Sequence, residues 1–131
     1  MRTTWTFHSA GRVVFGLDAI ASLGDHLREL SDDPGRVLVV TDPMLVEAGV
    51  CERVTEELSA AGIESAVFEG GCPEPPLELA MTCAEAAGAA GAGWLLGLGG
   101  GSNMDLAKVT ACVLAHGGHP RDYLGDCVVP G

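Results

Sequence analysis

The sequence predicts an α/β fold, a parallel β-sheet with helices packed on both of its faces. Three observations carry that expectation. Val37-Leu38-Val39-Val40 is an unbroken aliphatic run, the pattern of a strand covered on both sides. Strand-like runs alternate with helical stretches of about a dozen residues, the spacing of βαβ units. Finally, Gly97-Leu98-Gly99-Gly100-Gly101-Ser102 joins an apolar strand to a helical run, where a tight turn needs residues without Cβ atoms.

Taken in order, Trp5–His8 and Arg12–Phe15 flank Ser9-Ala10-Gly11 and predict an N-terminal β-hairpin. Asp18 stands where it would cap a helix over Ala19–Leu30, in which Ile20, Leu23, Leu27 and Leu30 recur at helical spacing. Ser31–Gly35 is a turn cluster. The Val37–Val40 strand ends at Thr41-Asp42-Pro43, and Val54, Leu58 and Ala61 mark one face of a helix from Val50 to Ala61, stopped by Gly62. Ile63–Phe68 is a second strand, Glu69–Pro76 a Gly/Pro-rich loop, Leu77–Ala90 an Ala-rich helix and Trp94–Leu98 a third parallel strand. Ser102–Ala115 is the last helix, closed by His116-Gly117-Gly118-His119-Pro120. Val128-Val129-Pro130-Gly131 reads as the approach to a further strand, so residues 1–131 are expected to form one domain that is incomplete at its C-terminal end.

Composition narrows the function. A chain of 131 residues supports a single buried core, and an apolar fraction of 47% with mean hydropathy +0.29 excludes a disordered chain. The formal charge of −11 repels nucleic-acid backbones and anionic lipid surfaces, so neither is an expected partner. A bound phosphate must then be held by backbone dipoles and not by a basic patch. The five cysteines form no C-x-x-C pair and are expected as reduced thiols. The N-terminus lacks the apolar run of a secretory signal, no stretch matches a membrane span, and the expected location is the cytoplasm.

The glycine turn carries the chemistry. Glycines at a strand–helix junction let a pyrophosphate approach the backbone, and the helix start offers unpaired N–H groups and a positive dipole end. Ser102 fits both as helix N-cap and as a hydroxyl donor to phosphate, with Asp105 three residues on in the capping-box position. Asp42, at the carboxyl end of the first strand of the sheet, stands where ligands of open α/β sheets bind. These residues predict a Rossmann-like dinucleotide-binding domain. The plain alternatives are a βα turn that holds no ligand and a turn aspartate that caps the loop before Pro43.

The segment Gly99-Gly100-Gly101-Ser102-Asn103-Met104-Asp105-Leu106-Ala107-Lys108 resembles the GGGSxxDxAK signature of the iron-containing (group III) alcohol dehydrogenases. Val14-Phe15-Gly16, Val39-Val40-Thr41-Asp42-Pro43, Gly62-Ile63 and Asp122-Tyr123-Leu124-Gly125 extend the resemblance along the chain. It implies an NAD-binding amino-terminal part, with Gly99, Gly100, Gly101 and Ser102 on the pyrophosphate and Asp42 on the adenine ribose, favouring NAD over NADP. It places Asp105 and Lys108 near the nicotinamide ribose; read from spacing alone, they are a surface pair. Where the family often reads Pro-Asn-Pro-Thr, this chain has Pro73-Glu74-Pro75-Pro76, which puts a negative charge near the phosphates. The family's divalent metal (iron, in some members zinc) is held by an Asp and three His in an all-helical second domain. The four histidines here do not match those positions, so no catalytic or metal residue is expected in this chain. The implied substrate is a small alcohol or aldehyde, and a homodimer paired through the hairpin edge is compatible. Rival readings are a freestanding nucleotide-binding module without turnover, and a glycerol dehydrogenase-, maleylacetate reductase- or dehydroquinate synthase-like relative. Asp105 speaks against the maleylacetate type, which tends to lack it.

Overall fold

The computed structural model describes residues 11–124. Trp5–His8, Cys127 and the Val128–Gly131 segment lie outside the described residues. A 3-10 turn, Ala19–Ser22, leads into helix α1 (Leu23–Leu30). Strand β1 (Arg36–Val40) is followed by α2 (Pro43–Glu47) and α3 (Val50–Ala60), then by β2 (Ser65–Phe68) and α4 (Leu77–Ala90). Strand β3 (Ala92–Gly97), α5 (Gly101–His116) and a 3-10 turn at Pro120–Tyr123 complete the order.

The three strands form a parallel sheet in the order β2-β1-β3, so the first strand in sequence is the middle one in space. The unbroken aliphatic run follows from that position. Val37, Val39 and Val40 are wholly buried, with Leu38 at 1% exposure. Val37 and Val39 point into a cluster with Leu27 of α1, Val54 and Leu58 of α3, and Ile63. Leu38 and Val40 point the other way, onto Ala80, Cys83 and Ala87 of α4 and Leu106 and Ala107 of α5. Each fully buried aliphatic side chain contributes roughly 1.5–3 kcal/mol, which makes β1 the spine of the core. At the rear end of the sheet, the Arg36 side chain donates to the Glu64 carboxylate at 3.0 Å and to the Ala90 carbonyl at 2.9 Å, tying the starts of all three strands together.

Two sequence expectations fail at the N-terminal side. Arg12–Phe15 forms no strand; Phe15 is fully exposed and Val13 is 79% exposed. The Arg12 guanidinium pairs with Glu29 of α1, and the other half of the expected hairpin, Trp5–His8, lies outside the described residues. The expected helix over Ala19–Leu30 is split, because the Ser22 hydroxyl bonds back to the Ala19 carbonyl at 2.8 Å and competes with the helical pattern. Asp18 caps nothing. It sits in the left-handed region at φ 58 and its carboxylate pairs with Arg53 of α3. Burial pushes the thiols of Cys51 and Cys83 up, which leaves both in the unreactive protonated form.

Candidate nucleotide site

Beyond β1 the chain passes into α2 and α3, which cover one face of the sheet, whereas α5 leaves β3 to cover the other. A crevice opens where two neighbouring strands send their helices to opposite sides, the place where ligands of open α/β sheets are held. Backbone bonds hold the strand ends level there. Leu98 N–H donates to the Val40 carbonyl at 2.9 Å, Thr41 N–H to Phe68 at 2.9 Å, and Gly71 N–H to Thr41 at 2.8 Å.

The glycines of the turn do different jobs. Gly97 lets α5 lie against the strand, since a Cβ there would come within 2.9 Å of the Met104 Cα. Gly99 has φ 131, and a Cβ would collide with the Asn103 amide, so the fold itself demands glycine. Gly100 and Gly101 are demanded by nothing in the fold. Both are exposed, neither has positive φ, and a Cβ on either meets no atom within 4 Å.

The cap of α5 differs from the sequence expectation. Gly100 is the N-cap, its carbonyl accepting from Met104 N–H at 3.1 Å, and no side chain caps the helix. Ser102 therefore sits inside the first turn, half-buried, and Asp105 does not close a capping box. With glycine at N-cap and N1, neither position puts a side chain over the start of the helix, and the space a Cβ would take is open. Asp105 instead accepts from Lys108 at 3.2 Å, an i,i+3 pair with both side chains mostly exposed.

Asp42 is extended at φ −121 and caps α2, its Oδ1 accepting from Leu45 N–H at 3.1 Å, while Pro43 occupies the first helical position. Its Oδ2 accepts from the Asn103 amide at 2.7 Å. Asn103, with the Leu45 N–H behind it, holds the Asp42 carboxyl below the usual carboxylate range. Asn103 is a residue that sequence reasoning missed. It is 3% exposed, and the same amide nitrogen donates to the Leu98 carbonyl at 2.8 Å, so it ties the end of β1 to the glycine turn.

Asp42, Met44, Cys72, Pro73, Gly100 and Gly101 line one cleft of about 490 Å³. Glu74, Pro75, Ser102 and Asp105 line another of about 420 Å³, and Gly101 and Ser102 border both, so the two meet at the start of α5. Glu74 is exposed in that rim, with φ 48. Lys108, paired with Asp105 at that cleft, itself lines a neighbouring hollow of about 840 Å³ between β3 and α5. Five of the seven predicted site residues, Asp42, Gly100, Gly101, Ser102 and Asp105, thus line the two adjoining clefts, and Gly99 lies beside them in the turn. A metal does not fit these residues, because among those described no three His, Cys, Asp or Glu side chains come together. His26 lies 3.1 Å from the Ser22 hydroxyl, and His119 accepts from Arg121 N–H at 3.2 Å.

This combination of parallel sheet, exposed glycine turn and strand-end carboxylate defines a Rossmann-like α/β domain. The sequence profile describing iron-containing alcohol dehydrogenases matches residues 10–130, and the chain belongs to that family. It is 36% identical to a long-chain-alcohol dehydrogenase of Geobacillus thermodenitrificans, over 88% of this chain and 30% of that protein. The crystal structure of NADH-dependent butanol dehydrogenase A from Thermotoga maritima superposes with a TM-score of 0.79 at 27% identity, covering 91% of this chain and 30% of that one. Maleylacetate reductase from Agrobacterium tumefaciens superposes at 0.68 with 31% identity, over 85% of this chain and 30% of its own. The chain thus spans about a third of the length of these relatives.

Proposed function

We propose that this chain is the NAD-binding part of a metal-assisted alcohol dehydrogenase, a cytoplasmic enzyme that interconverts a small alcohol and its aldehyde or ketone. The observation that carries the reading is the pair Gly100 and Gly101. Their missing side chains serve no need of the fold, yet they keep the start of a sixteen-residue helix bare. A pyrophosphate needs that room and those N–H groups, in a protein whose charge of −11 offers no other attraction.

In this reading Gly99 shapes the turn, Gly100, Gly101 and Ser102 hold the pyrophosphate, and Asp42 accepts from the adenine ribose hydroxyls. Asp105 and Lys108 serve the nicotinamide ribose side. When bound, NAD supplies a ring that accepts or donates hydride. This chain's own residues bind and orient it. Among the described residues the family's metal has no ligand set. The Agrobacterium relative supports a second reading, a reductase of the maleylacetate type, and Asp105 keeps the alcohol dehydrogenase reading first.

The test replaces Asp42 by Ser in the intact protein. Serine still caps α2, so stability is retained, but the carboxylate is gone. Fluorescence titrations with NADH and NADPH should show NADH affinity falling and NADPH affinity rising, because the 2′-phosphate is no longer repelled. An unchanged affinity ratio overturns the ribose assignment and leaves Asp42 a cap alone.

A further inference from the structure

Asp42 is held from two sides, and the second side is supplied from 61 residues away. The Asn103 amide nitrogen has two hydrogens and faces two acceptors, the Asp42 carboxylate and the Leu98 carbonyl. Its oxygen packs against the loop after β2, where a Cβ on Gly71 would collide with it. Turning the amide over would aim oxygen at both a carboxylate and a carbonyl, so only one orientation serves. Aspartate would place like charges together at this position, and an aliphatic residue would leave Asp42 on the Leu45 N–H alone.

We infer that Asn103 is the positioning residue for nucleotide choice, fixing the Asp42 carboxylate so that a 2′-phosphate cannot push it aside. The inference rests on the ribose role proposed for Asp42. A carboxylate on a free side chain can rotate towards solvent when a second anion arrives. Here rotation breaks a charge-assisted bond at 2.7 Å and strands the buried amide of a residue that is 3% exposed. Exclusion of the phosphorylated nucleotide then depends on Asn103 through its hold on Asp42. The bond to Leu98 makes the same amide a brace of the glycine turn, so the ribose and pyrophosphate ends of the crevice keep a fixed separation.

The experiment measures NADH and NADPH affinity for Asn103→Leu, Asp42→Ser and the double variant of the intact protein. Asn103→Leu should raise NADPH affinity relative to NADH at least about fivefold, and in the Asp42→Ser background the same change should move the ratio less than about twofold. A role confined to folding would lower both affinities together and leave the ratio in place, which overturns the inference. So does a ratio shift of equal size in both backgrounds. If Asp42→Ser shifts the ratio and Asn103→Leu does not, the ribose role stands and the positioning role falls. If Asp42→Ser shifts nothing, the ribose role fails and this inference with it. Should Asn103→Leu lack a native circular dichroism spectrum, Asn103→Ala carries the same comparison, with water filling the space.

Discussion

The two faces of the sheet cover the same strand with different materials. On one face, α1 and α3 bring Leu27, Val54 and Leu58, all branched and bulky. On the other, α4 and α5 bring Ala80, Cys83, Ala87 and Ala107 around Leu106, with Leu79 and Val109 half-buried at the margin. Bulk sets how much apolar surface leaves water, whereas small side chains set how near a helix can lie. The nucleotide crevice opens between the two faces, and one wall of it comes from the second. Its helix, α5, starts only a few residues after β3, and that short turn closes only because Gly97 faces Met104 and Ala107 without a side chain of its own.

Three substitutions test that division of labour. Leu58→Ala, on the bulky face, should cost about 2–5 kcal/mol in urea denaturation, with the NADH affinity of the folded protein unchanged. A matching loss of affinity would mean that the two faces are not separable. Ala87→Leu, on the near face, should cost about 1–3 kcal/mol by overpacking, and it should also weaken NADH binding because α4 is forced away from the sheet. Stability lost at constant affinity would remove the geometric role assigned to the small side chains. Gly100→Val should leave the melting temperature within a degree or so, since its φ of −79 suits any residue and a Cβ meets nothing. NADH affinity should nonetheless fall at least about tenfold, or about 1.4 kcal/mol. Native affinity in that variant would make the glycine turn a purely structural junction.

Much of this was legible in the sequence, for definite reasons. Leu77–Ala90 forms a helix over the expected residues, because its pattern runs unbroken between Pro76 and Gly91. Val37–Val40 declared a central strand because burial on both faces removes any need for polar alternation. Short elements were not legible. The five residues of α2 are too few to show a helical period, although Asp42-Pro43 carries a cap followed by a favoured first residue. Sequence alone places the cap of α5 at Ser102, two residues beyond the Gly100 that the chain uses, because serine is a better capper than glycine. Asn103 was invisible for a different reason. Its role depends on a partner 61 residues away, and nothing in its own neighbourhood announces an amide that must be buried.

The middle position of β1 has a consequence for how the chain comes to be folded. Val37 must pair with Ser65 on one side and with Trp94 on the other, both made later than itself. During synthesis, at roughly 5–20 residues per second, β1 emerges before the other two strands of the sheet and waits several seconds for its second neighbour. Until then, one edge of Arg36–Val40 is an open template for any other extended chain. The arrangement that gives the finished domain a dry spine makes the nascent domain dependent on whatever shields that spine while the rest of the chain arrives.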